Sequence, residues 1–314
     1  MAATPLHDLE TRVSNLHLRG DRRYDNARDR LVWNKRLDQA RSPEALVSVR
    51  SADEAAAAIR FAAVHGLQVS PRGSGHHYGA AALHDGGVLL DLGGLDFVEI
   101  DADKRIARVG AGVKGGAMIE RLARHGLAFP IGHCADVALS GYILAGGFGW
   151  NAGEWGPACA NVVAIELVTA AGEPVLASET VNADLFWAAR GGGPGFFAAI
   201  VAYHLQLHPL PPAAFAWSAR FAAESAPALA DWLTAATAAS HPAAEIIALV
   251  GADPHTGLPS ITVRAVTCGE NEDDAREKVA SFRSPPAEAE LTGEMTVESV
   301  AFAELTKFSA MAEG

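Results

Sequence analysis

Pro71-Arg72-Gly73-Ser74-Gly75-His76-His77-Tyr78-Gly79 is the stretch on which the reading of this chain turns. It follows a short apolar run, Leu67 to Val69, and leads through Ala80 to Gly87 into a second run, Val88 to Leu92, an order of strand, glycine turn and strand. Glycines at 73, 75 and 79 permit positive φ and leave backbone N–H groups uncovered, so a phosphate can approach the main chain closely with Arg72 nearby. The stretch reads as a diphosphate cradle that also carries two histidines, although glycine-rich connections are common and a lone one is weak evidence. A Rossmann turn must open a helix whose N-terminus faces the pyrophosphate, and Ala80 to Gly87 is too short and too glycine-bounded to be that helix. A nicotinamide fold is disfavoured, while a nucleotide is not.

Upstream of the stretch, Ala45 to Arg50 is a strand candidate, Ser51 caps a helix with Glu54 completing a capping box, and Gly66 ends it. With Leu67 to Val69 as the return strand this is a compact βαβ unit that delivers the glycine loop. Residues 1–43 are polar, without a clear helical or strand period, and read as an exposed arm docked through Trp33. Downstream, Phe97 to Ile100 with Ile106 to Val109, and Val162 to Thr169 with Glu173 to Ala177, read as hairpins; Lys114 to His125 and Ala183 to Ala189 read as helices. Phe196 to Leu207 is a long strand that ends at Pro209-Leu210-Pro211-Pro212, where a domain boundary is expected. Beyond it, strands at Phe215 to Phe221, Ile246 to Val250 and Ile261 to Thr267 with helices at Ala226 to Ala239 and Asn271 to Phe282 predict an antiparallel sheet with helices on one face. After Ser284 the text turns Pro- and Glu-rich and stops at Met311-Ala312-Glu313-Gly314 without a clear closing element.

The 314 residues suffice for two domains with sizeable cores. A formal net charge of -12 argues against nucleic-acid and anionic-membrane partners, which reward Lys and Arg, and leaves a small molecule as the expected one. No run reaches the length of a membrane span, and Met1 to Asp8 lacks both the basic and the apolar parts of a secretory leader, so a cytoplasmic location is expected. Cys134, Cys159 and Cys268 cannot all pair and show no metal-ligand spacing; no metal is expected, and Cys159 and Cys268 are read as apolar fillers.

A second glycine-rich segment runs Pro130-Ile131-Gly132-His133-Cys134-Ala135-Asp136-Val137-Ala138-Leu139-Ser140-Gly141-Tyr142-Ile143-Leu144-Ala145-Gly146-Gly147-Phe148-Gly149-Trp150. Its small residues suit a flat ligand lying against the backbone, and equally a tightly packed turn between elements. The two segments together, Arg72-Gly73-Ser74-Gly75-His76, then Gly132-His133-Cys134-Ala135-Asp136-Val137, then Gly141 and Gly146-Gly147-Phe148-Gly149, resemble the FAD-linked oxidases of the p-cresol methylhydroxylase (PCMH) and vanillyl-alcohol oxidase type, most of all their berberine-bridge-enzyme-like branch. Tyr24-Asp25, Arg28 and Trp33-Asn34 are similar to that branch's entry into the FAD domain, and Arg190-Gly191-Gly192-Gly193 with Phe196 to Pro209 to its last strand, so the resemblance spans about residues 20–212.

The resemblance implies an α+β fold: an arm at 1–43, a two-part PCMH-type FAD-binding domain at 44–212, and a partial antiparallel-sheet substrate domain at 213–314 that lacks the C-terminal segment of the relatives. It implies FAD joined covalently through His76, and through Cys134 as in the bicovalent branch. Arg72, Gly73, Ser74, Gly75, His77, Tyr78, Val137, Gly141, Tyr142, Gly146, Gly147, Gly149 and Ile200 would complete the cofactor site. Ala138 and Ala145 stand where glycine is usual, and Tyr142 where several relatives have histidine. The implied reaction takes hydride from a small alcohol, sugar or amine to flavin N5 and yields hydrogen peroxide from oxygen. A dehydrogenase with another acceptor, and a non-catalytic flavin-binding protein or fragment, are the alternatives. The base in such oxidases commonly comes from the substrate domain or C-terminal segment, so no catalytic residue is assigned, and the oligomeric state is not legible.

Overall fold

The computed structural model describes residues 9–34 and 41–306. The chain ends, including Met1 to Asp8 and Met311 to Gly314, lie outside the described residues. The chain divides into two compact units, Met1–Gly147 with Ala158–Leu207, and Phe148–Pro157 with His208–Gly314.

In the first unit, β1 (Asn15–Leu18), β2 (Ala45–Ser48), β3 (Val69–Arg72) and β4 (Val88–Asp91) form a sheet in the order β1-β2-β4-β3. Helices α1 (Tyr24–Arg30) and α2 (Ala52–Val64) connect them. The segment without a sequence period thus supplies an edge strand, antiparallel to β2, and a helix. Its anchor is Tyr24, 3% exposed, whose hydroxyl donates to Pro43 O at 2.6 Å. The βαβ unit is also split. Strands β2 and β3 do not pair with each other; each runs parallel to β4 between them. Val88, Leu89 and Leu90 are fully buried, and a continuously apolar strand needs a neighbour on both edges and cover on both faces. Ser51 Oγ accepts the N–H of Glu54 at 3.2 Å as the capping box requires, but the Glu54 carboxylate reaches the backbone N–H of Arg50 and of Ser14 instead of closing the box.

The second sheet of this unit is antiparallel, ordered β5 (Val98–Asp101), β6 (Ile106–Gly110), β10 (Ala199–Gln206), β8 (Val162–Val168), β9 (Pro174–Ser178). The intervening elements are α3 (Gly115–Ala123), the two-residue strand β7 (Leu127–Ala128), α4 (Leu139–Leu144) and α6 (Ala183–Ala188). One apolar cluster serves both sheets: Ala55, Ala58, Ile59 and Ala62 of α2 pack with Val47, Val88, Leu90, Val168 and Val201. Burying such side chains contributes roughly 1.5–3 kcal/mol for each large one.

The second unit contains α5 (Ala152–Trp155), β11 (His208–Pro209), β12 (Ala213–Ala222), α7 (Ala226–Ala238), β13 (Glu245–Ala252), β14 (Pro259–Gly269), α8 (Glu272–Lys278) and β15 (Thr296–Val300). Its antiparallel sheet is ordered β13-β14-β12-β15. Alternate residues Phe215, Trp217, Ala219 and Phe221 of β12 and Ile261, Val263 and Ala265 of β14 pack against Leu229 of α7 and Ala275 of α8, followed by Val279 and Phe282. The helices lie on one face, as the sequence predicts. Strand β15 was not read from the sequence, because an exposed edge strand carries no apolar alternation to betray it.

Candidate functional site

The decisive stretch begins as strand: Arg72 is the last residue of β3 and stands in register with Asp91 of β4. Its guanidinium serves the protein itself. Nη1 donates to Asp91 Oδ1 at 2.8 Å and Gly73 O at 3.1 Å, Nη2 to Ser74 O at 2.9 Å, and Nε to Leu31 O at 3.0 Å. Arg72 is therefore the clamp of the loop, with its side chain only 13% exposed. Gly75 has φ +73°, and a Cβ there would run into the Leu31 carbonyl, so two independent constraints require glycine.

The clamp leaves one set of groups unused. The backbone N–H groups of Gly73, Ser74, Gly75, His76, His77 and Tyr78 donate to no acceptor among the described residues. Successive uncommitted N–H groups in a turn form an anion-binding concavity. Around it, Trp33 donates its backbone N–H to Gly75 O at 3.2 Å, and its ring stacks on His76 (centroids 6.0 Å apart, planes at 18°) and meets Tyr78 edge-on at 5.6 Å. Trp33 thus docks on the glycine loop itself and remains half exposed. His77 Nδ1 accepts the Gly79 N–H at 3.1 Å and closes the turn.

His76 Nδ1 lies 3.0 Å from Ser74 Oγ. Burial lowers the imidazole pKa, opposed by the ring's hydrogen bond to the Ser74 backbone and by the charge of Asp136. The ring is accordingly held neutral to lower pH than a free histidine.

The second segment abuts the first. The N–H of Ala138 donates to Ser74 Oγ at 2.8 Å, and a Cβ on Gly73 would meet Ser140 and Ala138. Segment 131–138 is also laid across the start of α3: Gly115 N donates to Val137 O at 3.0 Å, Gly116 N to Ala135 O at 2.9 Å, and Leu139 N to Val113 O at 2.8 Å. Side chains on either glycine would strike Ile131 or Ala135. Lys114 pairs with Asp136 at 2.8 Å and holds that carboxyl below the usual range. Cys134 is exposed on this segment.

Tyr142 of α4 is the spacer of the region. Its hydroxyl donates to Pro130 O at 2.9 Å, and its ring fills the space that side chains on Gly132 and Gly147 would need. Gly146 and Gly147 both have positive φ. Gly141, exposed on α4, has open space where a Cβ would stand. Behind α4, Ser140 O accepts the hydroxyl of Tyr203, whose burial raises its pKa. Ile200 is buried in β10, and Gly149 belongs to the second unit. Sequence reasoning missed Asp91 and Tyr142's role as spacer. The first was findable as the acidic residue that ends the strand beside Arg72. Cys268 is buried with its thiol pushed up to about 12, chiefly by burial. Among the described residues no cluster of three or more His, Cys, Asp or Glu side chains is arranged for a metal ion, and no helix is long and apolar enough to cross a membrane.

Residues 43–178 match the family model described as an FAD binding domain. The chain is 34% identical over 235 residues to (R)-6-hydroxynicotine oxidase of Paenarthrobacter nicotinovorans, covering 74% of this chain and 50% of that protein. Among solved structures, BBE-like 1 of Physcomitrella patens superposes with a TM-score of 0.85 at 23% identity, covering 98% of this chain and 65% of the other. A glucooligosaccharide oxidase of Acremonium strictum, described with 6-S-cysteinyl, 8α-N1-histidyl FAD, gives 0.78 at 22% identity, covering 94% and 60%. The α+β fold is that of the PCMH and BBE-like FAD proteins. The chain spans about half the length of the curated relatives it matches.

Proposed function

We propose that this chain, which carries the FAD binding domain of the FAD-linked oxidoreductases, is the flavin-holding part of an oxidase acting on a small alcohol, sugar or amine. The observation that carries this reading is the run of six uncommitted N–H groups from Gly73 to Tyr78, in a loop that carries His76 and that the segment bearing Cys134 abuts through Ala138 N and Ser74 Oγ. The residues fit FAD in this reading. The N–H groups would hold the diphosphate, Gly141 would give clearance to a flat ring, and the His76 imidazole and Cys134 thiol would form the covalent bonds. Bound FAD would supply the two-electron acceptor, taking hydride from the substrate and passing the electrons to oxygen as hydrogen peroxide.

The protein's own part in this scheme is positional. Arg72 fixes the loop from behind, so its charge is neutralised by Asp91 and the approach of phosphate rests on main-chain donors. Tyr142 spaces Gly132 from Gly147 and thereby sets the course of the segment that carries Cys134. Trp33 stacks on the His76 ring, and Tyr78 in turn meets Trp33 edge-on.

The test is oxygen uptake and peroxide release by the FAD-loaded protein over a panel of alcohols, sugars and amines. The oxidase reading expects a substrate that bleaches the flavin and consumes oxygen. Bleaching without oxygen uptake would make the chain part of a dehydrogenase, and bound flavin that no substrate reduces would leave a binding role.

A further inference from the structure

The sheet of the second unit has two outer strands, and they differ. Strand β15 carries Glu298 at its centre. Strand β13 reads Glu245-Ile246-Ile247-Ala248-Leu249-Val250-Gly251-Ala252, with no charge after Glu245 and no proline. Its register with β14 runs from Glu245↔Val266 to Ala252↔Pro259 without a bulge. An edge strand is ordinarily blunted by a charge, a proline or a bulge, and the second half of β13 has none of them. That half is also open to solvent: every residue from Ala248 to Ala252 is exposed, Val250 at 81%.

The hairpin fixes which backbone groups of β13 point outward. Asp253 N donates to Leu258 O at 2.7 Å, so these two form a hydrogen-bonded pair, and such pairs alternate along an antiparallel ladder. Gly251, Leu249 and Ile247 therefore turn their backbone groups toward β14. Ala252 and Pro259 fall on a pair that needs no N–H between the strands, which suits proline. Ile246, Ala248 and Val250 turn their N–H and C=O groups outward, where no strand among the described residues meets them.

We propose that β13 is a dimerisation edge: two copies of this chain pair antiparallel through β13 about a two-fold axis at Ala248, joining their four-stranded sheets edge to edge. In that register Ala248 faces its own copy, Ile246 faces Val250, and Ile247 faces Leu249. The outward backbone groups of Ile246, Ala248 and Val250 satisfy one another across the axis. A second copy is the occupant because the strand is complementary to itself. Each exposed apolar side chain meets an apolar one, and Glu245 stands opposite Gly251, away from its own copy. An axis at Leu249 would instead set Glu245 against Asp253, and like charges directly opposite destabilise a strand pair. Each β13 is used once, so association closes at the dimer. The pairing lies wholly in the second unit and is independent of what the glycine loop binds.

Sedimentation velocity of the full chain, produced with FAD supplied, from about 1 to 200 µM tests the pairing. The expected result is a shift from the chain mass of 32.7 kDa to twice that value as concentration rises. Val250→Lys puts a cation on the edge, and Ala248→Pro removes an outward N–H that β14 does not use. Each is expected to weaken association about tenfold or more and to leave the circular dichroism of the monomer unchanged. Leu258→Lys charges an exposed apolar residue of the hairpin turn, outside the pairing, and is expected to leave association unchanged. Ala248→Cys in a Cys134→Ser background is expected to form an intermolecular disulfide on mild oxidation, because the position faces its own copy. A monomer throughout the range overturns the inference. So does a dimer that Val250→Lys and Ala248→Pro leave intact, or one that Leu258→Lys weakens equally. Species that keep growing beyond the dimer overturn the closed pairing, and absence of the disulfide overturns the register about Ala248.

Discussion

The two glycine-rich stretches are fixed by opposite means. Residues 71–79 are held by charge: one guanidinium makes four hydrogen bonds to Asp91, Leu31, Gly73 and Ser74, and the loop's own N–H groups are left over. Residues 130–147 are held by shape: an aromatic ring fills the gap between Gly132 and Gly147, and α3 begins with two glycines so that the segment can lie flush on its backbone. The difference teaches that glycine marks two demands that look alike in a sequence. One is a turn that combines positive φ with a carbonyl pressed against it, as at Gly75, and the other is a helix start on which a neighbouring segment lies flush, as at Gly115 and Gly116.

Gly75→Ala should be the sharpest break in the comparison. It combines positive φ with a clash on Leu31 O, and is expected to destabilise the first unit by at least about 3 kcal/mol, read as a fall in the urea midpoint. Gly141→Ala, with open space at its Cβ, should be silent in the same measurement. Next comes Arg72→Ala, which leaves Asp91 without its guanidinium at a site where both side chains are mostly buried, for about 3 kcal/mol. In a double-mutant cycle with Asp91→Asn the losses should be strongly non-additive, and simple additivity would deny the clamp. Tyr142→Phe removes the hydroxyl bond to Pro130 O and should cost about 1 kcal/mol, whereas Tyr142→Ala should cost several times more, because the second stretch is held by the ring. Equal losses for the two Tyr142 variants would contradict packing by shape.

The smallest expected effect is on pH. The folded-state pKa of His76 is depressed by burial, so between the folded and unfolded values the unfolded chain binds more protons. The contribution is present above the ordinary imidazole range and is lost as the pH falls through the depressed folded value. Wild type should therefore lose stability on acidification relative to His76→Gln. Parallel curves for the two proteins would show that the ring is not desolvated.

Much of this was legible in the sequence where a local rule operates. Ser51 with Glu54 marked the start of α2, apolar runs marked β2 and β4, and the glycines marked the two segments that the structure brings together at Ser74 and Ala138. What escaped depended on partners distant in the chain. Asp91 lies 19 residues from Arg72 and meets it only because β3 and β4 run parallel in register. The insertion of β4 between β2 and β3 follows from burial on all sides of Val88 to Leu90, which a reading of consecutive elements does not show. Edge strand β15 is exposed and lacks the alternation by which strands are recognised, while β1 alternates over four residues only, too short a run to stand out in a polar arm. Tyr142 was noticed as a departure from the relatives, but its duty as a spacer belongs to the two glycines it touches.

The measurement that bears most directly on the account is the absorbance of the purified, FAD-supplied protein before and after acid precipitation, followed by mass spectrometry of its peptides. The account predicts that yellow colour stays with the precipitate and that the flavin mass is found on peptides containing His76 and Cys134, and that His76→Ala abolishes the first of these bonds. A colourless precipitate with all flavin in the supernatant would contradict covalent attachment, and protein that takes up no FAD at all would contradict the cradle from Gly73 to Tyr78 itself.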